Sequence, residues 1–185
     1  MPDIVEIIKE QHRQVDELLT RAEQGDADSA ALMQEVARLL LPHSEAEESF
    51  VYPAIRDLAE RQGDEIKDGV AEHHQVEEML QNLLRGSADD PGYDGTVAAI
   101  AGELRHHVQE EEEELLPILT ERLGEAERAE MGRRFIEATT GSWPSPSGED
   151  HATTRKELYD KAREQEIPGR SRMNKQELAD AVGES

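Results

Sequence analysis

The chain contains no cysteine, which excludes disulfides, thiolate metal sites and a cysteine nucleophile. Aromatic residues are scarce, at 3% of the 185 positions, so a core has to be built from Leu, Ile, Val, Ala and Met. That supply suits helices better than strands, which draw on aromatic and β-branched side chains. Basic residues are outnumbered, 20 against 43 acidic ones, and the formal charge of −23 speaks against a phosphate-binding surface on the main body. The imbalance is local: residues 151–185 hold seven Lys/Arg and seven Asp/Glu, so residues 1–150 carry the whole −23. No apolar run approaches the length of a membrane span. The opening MPDIVEIIKE lacks the basic region and apolar stretch of a signal peptide. A cytoplasmic location is expected, with no membrane partner.

Four long segments show helical periodicity. The first covers about residues 3–22, with Ile4, Ile8, Val15, Leu18 and Leu19 on one stripe. The second covers about 28–60, with Asp28 or Ser29 as its N-cap and kinks expected at Pro42 and Pro53. The third covers about 64–84 on Ile66, Val70, Leu80 and Leu84, and the turn-rich RGSADDPGYDG follows it. The fourth covers about 96–123 on Val97, Ile100, Leu104, His107, Glu111, Leu115 and Ile118, and a shorter helix over about 125–138 comes next. No segment shows convincing strand alternation. The expected fold is all-α, an antiparallel up-down-up-down four-helix bundle with a short fifth helix. A linker over 139–152 leads to a small C-terminal helical hairpin over 153–185, which places a domain on residues 1–138.

The two halves of this bundle repeat. HRQVDELL from His12 aligns with HHQVEEML from His73, and HSEAEESFVYP from His43 aligns with HVQEEEEELLP from His107. Each half therefore contributes a His, then a His with a Glu four residues on and a Pro ten residues on. Four residues are about 400° of helical rotation, so each His and its Glu share one face. His12, His43, Glu47, His73, His107 and Glu111 all fall on core-facing stripes. Unpaired imidazoles and carboxylates there would cost on the order of several kcal/mol per buried ion. A pair of cations removes that cost, and imidazoles with bridging carboxylates are the usual ligands of iron in bundle cores. A lone His on an apolar face is ordinarily a satisfied core residue, but that explains one position and not four in register. Glu110, Glu112 and Glu113 read as a solvated face. His74 and His106 point about 100° off the stripe, and His151 lies in the linker.

The ordered set resembles the hemerythrin-like family, also called the HHE cation-binding domain, over about residues 1–138. The resemblance implies a four-helix bundle holding a non-haem di-iron centre, two iron ions (Fe2+/Fe3+) with an oxo or hydroxo bridge. Its ligands would be His12, His43, Glu47, His73, His107 and Glu111, with both Glu bridging. In the oxygen carriers of the family a fifth His stands four residues after the third-helix His, where this chain has Glu77. Two nearly equivalent irons with open positions are then expected, unless Glu77, Asp16 or Tyr52 fills one. Equivalent irons point to catalase-like redox chemistry on hydrogen peroxide. The alternative is reversible binding or sensing of dioxygen or nitric oxide, or iron sensing, without turnover. The C-terminal ELYDKAREQEIPGRSRMNKQELADAV resembles Rho N-terminal and SAP-like helix-extended-helix modules. The resemblance implies a nucleic-acid contact through Arg170, Arg172 and Lys175. A plain hairpin used for packing or oligomerisation is the stronger reading at zero local net charge.

Overall fold

A computed structural model of the chain describes residues 3–25, 28–59 and 62–141, together with residues 165, 167, 181 and 182. The chain divides into two units, residues 1–143 and 144–185; apart from those four residues the expected C-terminal hairpin, with Arg170, Arg172 and Lys175, lies outside the described residues, as does His151. No strand occurs among the described residues, and none of their helices is long and apolar enough to cross a membrane.

The α-helices bounded among the described residues are, in order, α1 (Ile4–Gln24), α2 (Ser29–Ala46), α3 (Tyr52–Leu58), α4 (Gly63–Arg85), α5 (Tyr93–Glu110), α6 (Leu116–Arg122) and α7 (Glu125–Gly141). Local chemistry sets their ends. Asp3 caps α1 by accepting from the Val5 N–H at 3.0 Å, and Gly25 ends it in the left-handed region at φ 69°, where glycine meets no Cβ clash. Asp28 caps α2 by accepting from the N–H groups of Ala30 and Ala31. The fourth long helix starts at Tyr93 rather than near Thr96. Gly92, at φ 91°, turns the chain three residues early and lets Tyr93 bury against the core.

Two π-helical turns interrupt the rods. Glu47–Val51 joins α2 to α3, and Glu111–Leu115 joins α5 to α6. The N–H of Tyr52 bonds the Glu47 carbonyl and the N–H of Leu116 bonds the Glu111 carbonyl, each five residues back. The cause is spacing. His43, Glu47, Val51 and Ile55 are all buried, as are His107, Glu111, Leu115 and Leu119. Three steps of four residues overshoot three α-turns by about 120°, and one wider turn absorbs the excess. Each turn also precedes a proline, Pro53 or Pro117, which has no N–H to donate. The helix stays α-helical through Pro42, and the π turn begins at Glu47.

Along each long helix the buried residues read apolar, polar, apolar. One apolar cluster holds Val15, Leu19, Val36, Leu40, Leu80 and Leu104; the other holds Ile4, Ile8, Val51, Ile55, Leu116 and Phe135. The histidines and the two glutamates lie between them in sequence on every rod. The order reverses from α1 to α2–α3, to α4, to α5–α6, which is the expected up-down-up-down bundle. Its neighbours form a ring: α1 packs on α2 and α5, and α4 on α5 and α2. α7 covers α1 and α2. One stripe position differs from expectation: Leu84 is exposed while Leu83 is buried. Ile118 is partly buried against the second cluster, beside the wholly buried Leu119.

Candidate metal centre

His12, His43, Glu47, His73, His107 and Glu111 are all buried, and both glutamates are at 1% exposure or less. The helices bring them into one layer. His12 and His43 meet Nε2 to Nε2 at 3.2 Å, and His73 and His107 do so at 2.9 Å. Glu47 spans the two pairs, with Oε1 2.9 Å from His43 Nε2 and Oε2 3.4 Å from His73 Nε2. Glu111 does the same with Oε2, 3.3 Å from His12 Nε2 and 4.0 Å from His107 Nε2. The donor atoms of His12, His43 and Glu47 lie within 4.8 Å of one another, and so do those of Glu47, His73 and His107. Two three-ligand clusters thus share Glu47.

The outward nitrogens fix what the inward ones can do. His12 Nδ1 donates to Glu112 at 3.0 Å, His43 Nδ1 to Gln11 at 2.8 Å, His73 Nδ1 to Glu48 at 3.1 Å and His107 Nδ1 to Glu72 at 2.9 Å. An imidazole that donates from Nδ1 carries a lone pair on Nε2 when neutral. The layer then opposes lone pairs to lone pairs and to carboxylate oxygens. None of the four oxygens of Glu47 and Glu111 has a hydrogen-bond partner. Buried and unpaired, such groups are costly; cations seated between them satisfy all six side chains at once. Nitrogen and oxygen donors with backed imidazoles are the donor set of a transition metal, so the residues present fit one.

In the metal-free protein burial and the neighbouring charges together set the protonation of the layer. Burial pushes the Glu47 carboxyl well above the usual range, and the Glu111 charge adds to it. Burial and the charges of the other three histidines hold His43 well below its ordinary value. Burial and His73 lower His107 against the opposing pull of Glu111 and Glu72. For His12 burial also opposes the charge, but Glu111 and Glu112 outweigh it and raise the pKa to about 9.

Of the three side chains expected to fill an open position, Tyr52 lies against the layer. The Tyr52 ring stacks on His73 at 5.6 Å and 13°, with its hydroxyl 3.5 Å from His73 Nε2. Glu77 is half-buried and accepts from Gln81 at 2.8 Å. Asp16 is exposed and pairs with Arg105 at 2.7 Å. The two halves of the layer are therefore not equivalent. Tyr52 covers the His73–His107 pair, whereas His12 and His43 line a cavity of about 580 Å³ whose wall mixes Val15, Leu19, Leu40 and Leu104 with Arg13, Asp16, Arg105 and Glu113.

The outer acceptors escaped the sequence reading. Gln11, Glu48, Glu72 and Glu112 each neighbour a residue of the layer on their own helix, yet each serves the histidine of the next helix around the ring. Glu112 belongs to this set and not to the solvated face. The internal repeat held the signal, since it aligns Gln11 with Glu72 and Glu48 with Glu112. His74 and His106 are exposed, as their phase requires.

Residues 3–119 match the family model described as the hemerythrin HHE cation binding domain. An uncharacterized hemerythrin-like protein of Schizosaccharomyces pombe is 30% identical over 117 residues, a stretch that covers 60% of this chain and 56% of that relative. No solved structure matches the chain.

Proposed function

The chain belongs to the hemerythrin HHE cation-binding family, and from that premise we propose that its layer holds a pair of iron ions and turns over hydrogen peroxide to water and dioxygen. The coarser part of this is direct: the domain is a cation-binding one whose buried His/Glu clusters are able to hold metal. The observation that supports a pair is the placement of Glu47 and Glu111, each reaching toward both histidine pairs.

His12, His43, Glu47, His73, His107 and Glu111 would be the ligands, through Nε2 and the carboxylate oxygens. Two adjacent irons supply a two-electron couple, which suits the disproportionation of two peroxides into two waters and one dioxygen. The rest is the work of the chain. Gln11, Glu48, Glu72 and Glu112 orient the imidazoles and fix their tautomers. The two apolar clusters exclude water from either end of the layer. Burial, with the charges of Glu47 and Glu111, raises the Tyr52 pKa well above its ordinary value, so its hydroxyl keeps a proton beside His73. The half-buried Glu77 stands where the oxygen carriers have a fifth His. A metal held by His12 and His43 would have room on the cavity side for an exchangeable ligand.

A second reading has its own support. One histidine pair covered by Tyr52 and one opening on a cavity is the kind of inequivalence that reversible binding of dioxygen or nitric oxide would use. One experiment separates the two. The protein is reduced without air, given oxygen and followed through deoxygenation; the oxidised form is then given peroxide and evolved oxygen is measured. Fast evolution that is lost on replacing Glu47 or Glu111 supports turnover. A reversible oxygenated spectrum without evolution refutes it in favour of binding or sensing.

A further inference from the structure

The ring of outer acceptors has one odd member. His12, His73 and His107 donate to carboxylates, but His43 donates to an amide, Gln11. An amide can present either an oxygen or an NH2 group, so something has to fix which. Gln11 Nε2 donates to Thr139 Oγ1 at 3.3 Å, and the Thr139 hydroxyl donates to the Phe135 carbonyl at 2.9 Å. The chain of donors has one direction. The Thr139 proton goes to a helix carbonyl, Phe135 at 2.9 Å or Ile136 at 3.4 Å, so its oxygen accepts from Gln11, Gln11 turns its own oxygen to His43 Nδ1, and Nε2 of His43 is left with its lone pair.

Thr139 is 8% exposed and Phe135 fully buried. The Phe135 ring meets the His43 ring edge-on at 5.3 Å and 89°. Both sit on α7, which lies beyond the residues 3–119 matched by the family model. Arg128 ties the start of α7 to Asp3, the cap of α1, at 2.6 Å, so α7 is fastened to the helix that carries Gln11.

We infer that Thr139 and Phe135 are positioning residues for the metal centre: Thr139 sets the His43 tautomer through Gln11, and Phe135 sets the plane of its ring. This rests on the reading that the histidines ligate metal through Nε2. A neutral amide makes His43 a weaker electron donor than the three carboxylate-backed imidazoles, which further separates the two halves of the layer.

The test uses the full-length protein loaded with zinc, which is diamagnetic, and follows solvent exchange of the four imidazole Nδ1–H protons by NMR. Thr139→Val is expected to speed exchange at His43 by about three- to tenfold, the weight of one neutral hydrogen bond, and to leave His12, His73 and His107 unchanged. Thr139→Ser should restore the slow rate, and Gln11→Leu should reproduce the fast one. An unchanged His43 rate in Thr139→Val and Gln11→Leu overturns the inference. So does an equal change at all four histidines, which marks general loosening. The same comparison without zinc separates this inference from its premise. A His43-specific effect in a protein that takes up no metal keeps the positioning role and removes the ligand reading.

Discussion

Glu47 and Glu111 occupy matched positions of an internal repeat but hold their protons differently. Burial opposes the charge on both, and Glu47 yields to it; at Glu111 the neighbouring His12 wins and its carboxyl is lowered. Replacing Glu47 by Gln removes one oxygen ligand shared by the two three-ligand clusters. Iron per chain should fall from two to one or none by elemental analysis, and His107→Ala should behave alike. Glu77→Gln and His106→Ala should leave the content unchanged, because neither side chain reaches the layer. A Glu47→Gln variant with full iron content would remove Glu47 from the ligand set. The proton inventory gives a pH dependence as well. His12 is raised from 6.5 to about 9 in the metal-free protein. Its contribution to metal-free stability is complete below pH 6.5 and is lost as pH rises through about 9. Metal needs the deprotonated Nε2 and an ionised Glu47, so uptake releases protons. Affinity for zinc should therefore rise between pH 6.5 and about 9, measured by titration at several pH values, and a flat profile would contradict it.

At the scale of elements, much was legible because a helix states its own register. The stripes, the four inward histidines and the two glutamates follow from a 3.6-residue period, and the structure places all six in one layer. What the period did not convey belongs between helices. Gln11, Glu48, Glu72 and Glu112 each serve a histidine on the neighbouring rod, and no single-helix pattern encodes that partner. Glu112 looked solvated for this reason, in a run of five glutamates. The π turns were half visible. The ten-residue interval from His to Pro was plain, but its meaning, a wide turn that keeps four-residue steps on the core face, required the buried positions on both sides. The sequence marks α7 only as a short fifth helix, and its depth in the fold comes from Phe135, which is wholly buried within the second apolar cluster. Phe135→Ala should therefore cost about 3–5 kcal/mol in denaturant unfolding. A loss below about 1 kcal/mol would mean that α7 packs loosely on the bundle.

For the whole molecule, the arrangement is two apolar cores held apart by a layer of imidazoles and carboxylates, inside a chain of net charge −23. Such a layer weakens the bundle when empty and clamps four rods together when filled, since the six side chains come from all four. Folding and metal binding are then linked. Each site held at a hundred times its dissociation constant adds about 2.7 kcal/mol. For a domain of this size each kcal/mol is worth roughly 2–4 °C, so two filled sites should raise Tm by about 10–20 °C over the metal-free form. The six layer residues and the whole of α7 fall within residues 1–143, the first of the two units. A chain ending at residue 143 should accordingly take up the same metal and show the same rise as the full chain, read by thermal unfolding before and after chelation. A cut before Thr139 should keep the bundle but lose the Gln11 anchor, and part of the rise with it. Equal Tm values with and without metal would show that the layer is satisfied by its own protons. A shorter chain that folds but binds no metal would place an essential contact in residues 144–185.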